Sequence, residues 1–179
     1  MEEAVWIQEA RDGDTAAFAR LVEAYQTHVY NLTYRMLGER MAAEDAAQEA
    51  FLRAFKNLHR YDPSRSFRTW LLSIAAHHAI DRLRRRRPQV PLQRMVPQAG
   101  DDPGPERQVV QREAREAVQR LLTLLSPTDR AAVTLLYWYD CSYEEIAETL
   151  DLTVSAVKSR LYRARRTMAQ AMEEGFDVL

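Results

Sequence analysis

Residues 142–166 limit the fold more tightly than any other stretch of the chain. Ser142, Tyr143, Glu144 and Glu145 form a capping-box sequence, in which a Ser and the Glu three residues on satisfy each other's backbone donors and start a helix. Ile146, Ala147 and Leu150 follow at helical spacing. Asp151 and Leu152 leave room only for a tight turn, and Thr153 is placed to cap a second helix with Val157, Leu161, Ala164 and Met168 on its inner face. A short helix, a turn and a second two-faced helix make a helix-turn-helix. The small Ala147 lets the two helices approach, and Leu152 plugs the core between them. The outer face of the second helix carries Ser155, Lys158, Ser159, Tyr162, Arg163 and Arg166, flanked by Arg160 and Arg165. From 152 to 172 there are five bases and no acid. Such a face suits the DNA major groove: its N-terminal half reaches base edges and its later arginines meet phosphates. The plain alternative is a solvated helix at the edge of a bundle.

The rest of the chain also reads as helical, with Gly scarce at 5 of 179 residues. Breaks at Asp12, Gly13 and Asp14, at Gly38, and around Pro63 separate four helices. These are a short one over 2–11, a long one ending at Gly38, one over 42–58 and one over 67–87 with Ser66 as its cap. The third helix should bury Ala43, Ala47, Ala50, Phe51, Ala54, Phe55 and Leu58. Pro88, Pro91, Pro97, Pro103 and Pro105, with Gly100 and Gly104, make 88–107 a linker. Beyond it, a helix ending near Leu125 precedes one opened by Ser126, Pro127, Thr128 and Asp129. The expected fold is all-α, with two small helical domains (1–87 and 108–179) joined by a proline-rich linker, the second containing the helix-turn-helix.

A net charge of -1 conceals a strong asymmetry. Residues 1–60 hold ten acids and seven bases, whereas 82–87 hold five arginines in six positions. Local basic stretches on a nearly neutral chain point to specific contact with a polyanion. The one cysteine, Cys141, excludes an intrachain disulfide and a cysteine-based zinc site. The acidic start, MEEAVW, lacks a signal pattern, and no apolar run approaches the roughly 18 residues of a membrane helix. A cytoplasmic protein without membrane association is expected.

Two motif sets, one in each lobe, then carry a resemblance. SYEEIAETL from Ser142 and TVSAVKSRLYRAR from Thr153 resemble region 4 of bacterial sigma factors of the extracytoplasmic-function group. EDAAQEAFLRAF from Glu44 resembles the polymerase-binding helix of region 2, and FRTWLLSIA from Phe67 with AIDRLRR from Ala79 resembles its promoter-melting helix. The similarity spans about residues 10–170 in the family's order. It implies a non-enzymatic factor that binds core RNA polymerase and directs it to promoter DNA. No cofactor and no metal are implied, and an anti-sigma protein is a further partner that the family often has.

Carried over residue by residue, the resemblance implies that Asp45, Gln48, Glu49 and Arg53 bind polymerase. Their spacing agrees, since positions 45, 49 and 53 share one helix face. Tyr61, Arg65, Phe67, Trp70, His77, Arg82, Arg84 and Arg85 would hold the −10 element. There aromatics stack on exposed bases and arginines, Arg86 and Arg87 included, neutralise phosphates. Aromatics at helical spacing are more often core, so at least one of Tyr61, Phe67 and Trp70 is expected to be structural. Ser155, Lys158, Ser159, Arg160, Tyr162, Arg163 and Arg166 would read the −35 duplex. The chain departs from the family at His77, where Asn is usual, and at Cys141, where Gly is frequent. The linker acids Asp101, Asp102 and Glu106 are either part of a tether or mimics of nucleic acid inside polymerase.

Two other readings of the residues stand beside this one. The first is a free-standing helix-turn-helix regulator with a helical sensory lobe. The second is a metal enzyme built on His77, His78 and Asp81 with Asp45 and Glu49.

Overall fold

The structure is a computed structural model that describes residues 2–85 and 105–174, the side chains of 105–112 excepted. Among the described residues there are eight α-helices and no strand. Lobe 1 holds α1 (Glu2–Arg11), α2 (Thr15–Leu37), α3 (Arg40–Asn57) and α4 (Phe67–Arg85). Lobe 2 holds α5 (Pro105–Thr123), α6 (Pro127–Tyr139), α7 (Tyr143–Leu150) and α8 (Val154–Glu173). Among the described residues no helix is long and apolar enough to cross a membrane. Helix α5 starts at Pro105, inside the stretch read as linker, because proline at the first helical position loses no hydrogen bond. The linker acids Asp101 and Asp102, the side chain of Glu106, and Arg86 and Arg87 lie outside the described residues.

Local chemistry sets the ends of the lobe 1 helices. Asp14 accepts from the amides of Ala16 and Ala17 and starts α2. Gly38 ends it in the left-handed region, φ 74°, with its amide on the Tyr34 carbonyl. Leu21, Val29, Leu32 and Met36 of α2 face Leu71, Leu72, Ala75 and Ala76 of α4 in the core. Helix α3 meets them with an alanine face, Ala42, Ala43, Ala46, Ala50 and Ala54, which lets it approach closely. This face corrects the expectation for Phe55, which is 41% exposed. A methyl-sized inner face leaves no depth for a phenyl ring, so Phe55 packs at the rim, its ring 4.9 Å from that of Phe18.

Lobe 2 packs directly on lobe 1. Arg130 is 7% exposed; its Nη1 donates to the Met36 carbonyl at 2.5 Å and its Nη2 to Leu125 at 3.5 Å. Its Nε has no partner, and burial pulls its pKa down to about 10. Gln119 donates to the Arg35 carbonyl at 3.0 Å, and the Tyr139 hydroxyl donates to that of His28 at 2.5 Å. Helix C-termini carry carbonyls without intrahelical partners, and lobe 2 supplies donors to those of α2.

Candidate nucleic-acid interface

Helix α8 is positioned by its caps. Ser142 Oγ accepts from the Glu145 amide at 3.1 Å while Glu145 Oε2 accepts from the Ser142 amide at 2.7 Å, completing the capping box of α7. Asp151 turns the chain with φ 58°, and Thr153 Oγ1 accepts from the Ala156 amide at 3.1 Å. Val157, Leu161 and Ala164 are buried, so the 3.6-residue period exposes Ser155, Lys158, Ser159, Tyr162, Arg163 and Arg166 together. Tyr162 is 65% exposed, an apolar body with a polar tip. Among the described residues no carboxylate pairs with Lys158, Arg163 or Arg166.

Arg160 differs. Its Nη1 lies 2.8 Å from Asp129 Oδ1 and its side chain is largely covered, so it braces α8 against α6. One hundred degrees of rotation per residue carries position 160 away from the exposed row and towards α6. Arg165 bonds the Tyr137 hydroxyl through Nε at 3.0 Å, with its guanidinium 6.0 Å from that ring.

On lobe 1, Asp45, Gln48 and Arg53 are exposed on α3 and Glu49 is half-buried beside them. Arg53 Nε sits 2.7 Å from Glu49 Oε1, and that hydrogen bond holds the Glu49 carboxyl below its ordinary pKa. Asp45 meets Arg82 of α4 at 3.5 Å. A cleft of about 430 Å³ between the helices is lined by Arg53, His78, Asp81, Arg82 and Arg85. Burial first, then Arg53, lowers the pKa of His78. An apolar groove of about 730 Å³ runs between α2 and α3 past Phe18, Val22, Phe51, Leu52 and Phe55, with Gln48 on its lining.

The −10 candidates separate by burial. Tyr61 is 5% exposed and Phe67 2%; their rings stack edge-on at 5.5 Å and belong to the core of lobe 1. The Tyr61 hydroxyl donates to the Arg65 carbonyl, closing the loop before α4. Neither ring is open to a base in this arrangement. Trp70 covers both, at 5.2 and 5.6 Å between centroids, and is itself only half-buried. Arg84 and Arg85 are exposed. His77 Nδ1 lies 2.8 Å from the Ser73 carbonyl. A carbonyl only accepts, so Nδ1 carries the proton and the neutral ring presents Nε2 as an acceptor.

Residue patterns did not reveal Arg68, Gln119, Arg130 and Tyr139 as contacts between lobes. Arg130 follows Asp129 and precedes the largely apolar stretch 131–136, and all four look like ordinary surface or core residues. No group of three or more His, Cys, Asp or Glu among the described residues could hold a metal ion.

Residues 21–89 match the Sigma-70 region 2 family and 115–168 the Sigma-70, region 4 family. The chain is 36% identical to the ECF RNA polymerase sigma factor SigW of Bacillus subtilis over 180 residues, covering 94% of this chain and 95% of that one. It is 32% identical to the RNA polymerase sigma-H factor of Pseudomonas aeruginosa, covering 93% and 92%. Two solved structures share its fold. One is CnrH in complex with the cytosolic domain of CnrY, with TM-score 0.72, 24% identity, and 97% and 99% of the two chains covered. The other is the sigma factor RpoE in complex with the anti-sigma factor NepR from Bartonella quintana, with TM-score 0.67, 18% identity, and 87% and 96% covered.

Proposed function

The chain belongs to the extracytoplasmic-function (ECF) group of RNA polymerase sigma factors, and from that membership we propose how its residues divide polymerase binding and promoter reading. As a sigma factor it binds core RNA polymerase and directs promoter recognition and initiation. Its contribution is binding energy and placement, not catalysis, and it acts in the cytoplasm where polymerase and DNA are.

Lobe 2 reads the −35 duplex. Ser155, Lys158, Ser159 and Tyr162 meet base edges, and Arg163 and Arg166 hold the flanking backbone. The observation that carries this reading is the unpaired cationic face of α8. Lobe 1 docks on polymerase through Asp45, Gln48, Glu49 and Arg53. It holds the melted −10 strand with Trp70 as the stacking ring, His77 as an acceptor, and Arg65, Arg82, Arg84 and Arg85 on phosphates. Arg160, Tyr61 and Phe67 serve by shaping these heads. The two solved relatives were captured with protein partners, one an anti-sigma factor, and an anti-sigma protein fits this chain as a partner in the same way.

Run-off transcription with core polymerase tests the assignment of α8. Arg163→Ala is expected to weaken transcription from promoters that depend on their −35 element, about equally whatever the −35 sequence, with polymerase affinity unchanged. An equal loss of polymerase affinity would remove Arg163 from the −35 head.

A further inference from the structure

We propose that His77 reads the exocyclic amino group of one −10 base through its Nε2, so that this chain selects an amino-bearing base at that position and rejects thymine. The inference rests on the assignment of the −10 strand to α4 under the proposed function, and adds to it the chemical class of the base.

The observation behind it is a ring held in one tautomer. His77 Nδ1 donates to the Ser73 carbonyl at 2.8 Å, one turn back on α4, with Ser73 Oγ 3.3 Å from the same nitrogen. With the proton on Nδ1, Nε2 keeps a lone pair and can only accept. Among the described residues no hydrogen bond engages Nε2, and the ring is half-buried, one edge tied to the helix and the other unclaimed. An amide side chain at this position could turn to present a donor or an acceptor; the tied ring presents an acceptor alone.

An acceptor narrows what it can meet on DNA. Phosphate and sugar oxygens within a strand only accept, so Nε2 has no partner there and must find its donor on a base. Adenine, cytosine and guanine each carry an exocyclic amino group, and thymine carries none. The one donor of thymine, N3–H, lies between two carbonyl oxygens, which would set lone pair against lone pair. Asp81 strengthens this choice. Trp70, Ser73, His77 and Asp81 follow at three- and four-residue spacing and form one row along α4. The Asp81 carboxylate, exposed one turn beyond His77, is a second acceptor in that row. Trp70, the proposed stacking ring, stands seven residues before His77, about 10 Å along the helix. The base that His77 reads therefore lies within about three nucleotides of the one stacked on Trp70, at roughly 3.4 Å per nucleotide.

The test uses core polymerase with the full chain, unaltered or carrying His77→Lys, His77→Asn or Arg85→Ala. Run-off transcription on a randomised promoter library returns the −10 sequence that each selects, and circular dichroism reports helix content. At one −10 position the unaltered protein should take an amino-bearing base and exclude thymine. His77→Lys, which only donates, should admit thymine at that position and at no other. A fluorescent single-stranded oligonucleotide of the selected sequence then loses that one amino group, through purine for adenine, pyrimidin-2-one for cytosine or hypoxanthine for guanine. The removal should weaken binding by the unaltered holoenzyme about fivefold, the scale of one neutral hydrogen bond, and leave binding by His77→Lys unchanged. A purely structural His77 would give the same loss in both. Should His77→Lys lose helix, His77→Asn carries the comparison and should also admit thymine, since an amide can donate. Thymine selected by the unaltered protein at the responsive position, an equal effect of amine removal in both proteins, or a −10 preference unchanged by either His77 variant overturns the proposal. Arg85→Ala keeps that failure apart from failure of the reading beneath it, because loss of a phosphate contact should weaken the oligonucleotide whatever its sequence. If Arg85→Ala and the His77 variants all bind it as the unaltered protein does, the assignment of the −10 strand to α4 falls.

Discussion

Arg160 and Arg163 sit three residues apart on α8, yet one is committed to Asp129 and the other faces solvent. Charge alone does not separate them; the position of α6 does. Cys141 shows the same dependence on surroundings. It is buried at the end of α6, and burial pushes its thiol up to about 11 although Arg68 pulls the other way. At pH 8 the folded thiol is almost wholly protonated, while an unfolded thiol near pKa 8.5 is partly thiolate. Reaction with a disulfide reagent is therefore expected to be at least about 100-fold slower in the folded protein than in denaturant, and to accelerate as pH rises. A fast reaction at pH 8 in the folded state would show an accessible thiol. The sequence could place Cys141 beside the DNA-reading unit. A small buried residue is the role that the sequence favours there, and the structure buries it.

Among the elements, the helix-turn-helix was the most legible, because its ends are set by side chains within three residues of the backbone they cap. Ser142, Glu145 and Thr153 make the bonds that their spacing predicts. Ser142→Ala should therefore destabilise the fold by about 1 kcal/mol in urea unfolding, with an unchanged denaturant slope. A loss near zero would mean that solvent caps α7 equally well. Helix α3 was less legible. Its apolar pattern included Phe55 on the inner face, but the neighbours of α3 leave only an alanine-deep seam there. Tyr61 and Phe67 illustrate the converse. Their role was open between base stacking and core packing, and the contacts of the loop with α4 put both rings inside. How far helices approach each other is a tertiary quantity, and periodicity does not contain it.

On the scale of the whole molecule, the two lobes and their order could be read from composition and motif, whereas their contact could not. Arg68, Gln119 and Tyr139 form it through hydrogen bonds to backbone carbonyls. A carbonyl leaves no trace in side-chain identity, which is why these residues looked ordinary. The row on α3 proposed to face polymerase can be tested at this scale. Asp45→Lys with Glu49→Lys removes two ion pairs that are exposed and contribute little to stability. The variant should unfold at nearly the same temperature but bind core polymerase at least about tenfold more weakly, as two reversed interface charges would require. Unchanged affinity would move the docking surface elsewhere.

In the proposed function, promoter choice comes from two heads acting together on polymerase. Run-off transcription by core polymerase with this protein on a randomised promoter library tests it most directly. Transcripts should depend on the protein and come from templates enriched in both a −35 and a −10 sequence. Lys158→Ala is expected to relax only the −35 preference, and His77→Asn to alter only the −10 preference. Transcription independent of the protein, or enrichment of one element without the other, would contradict it.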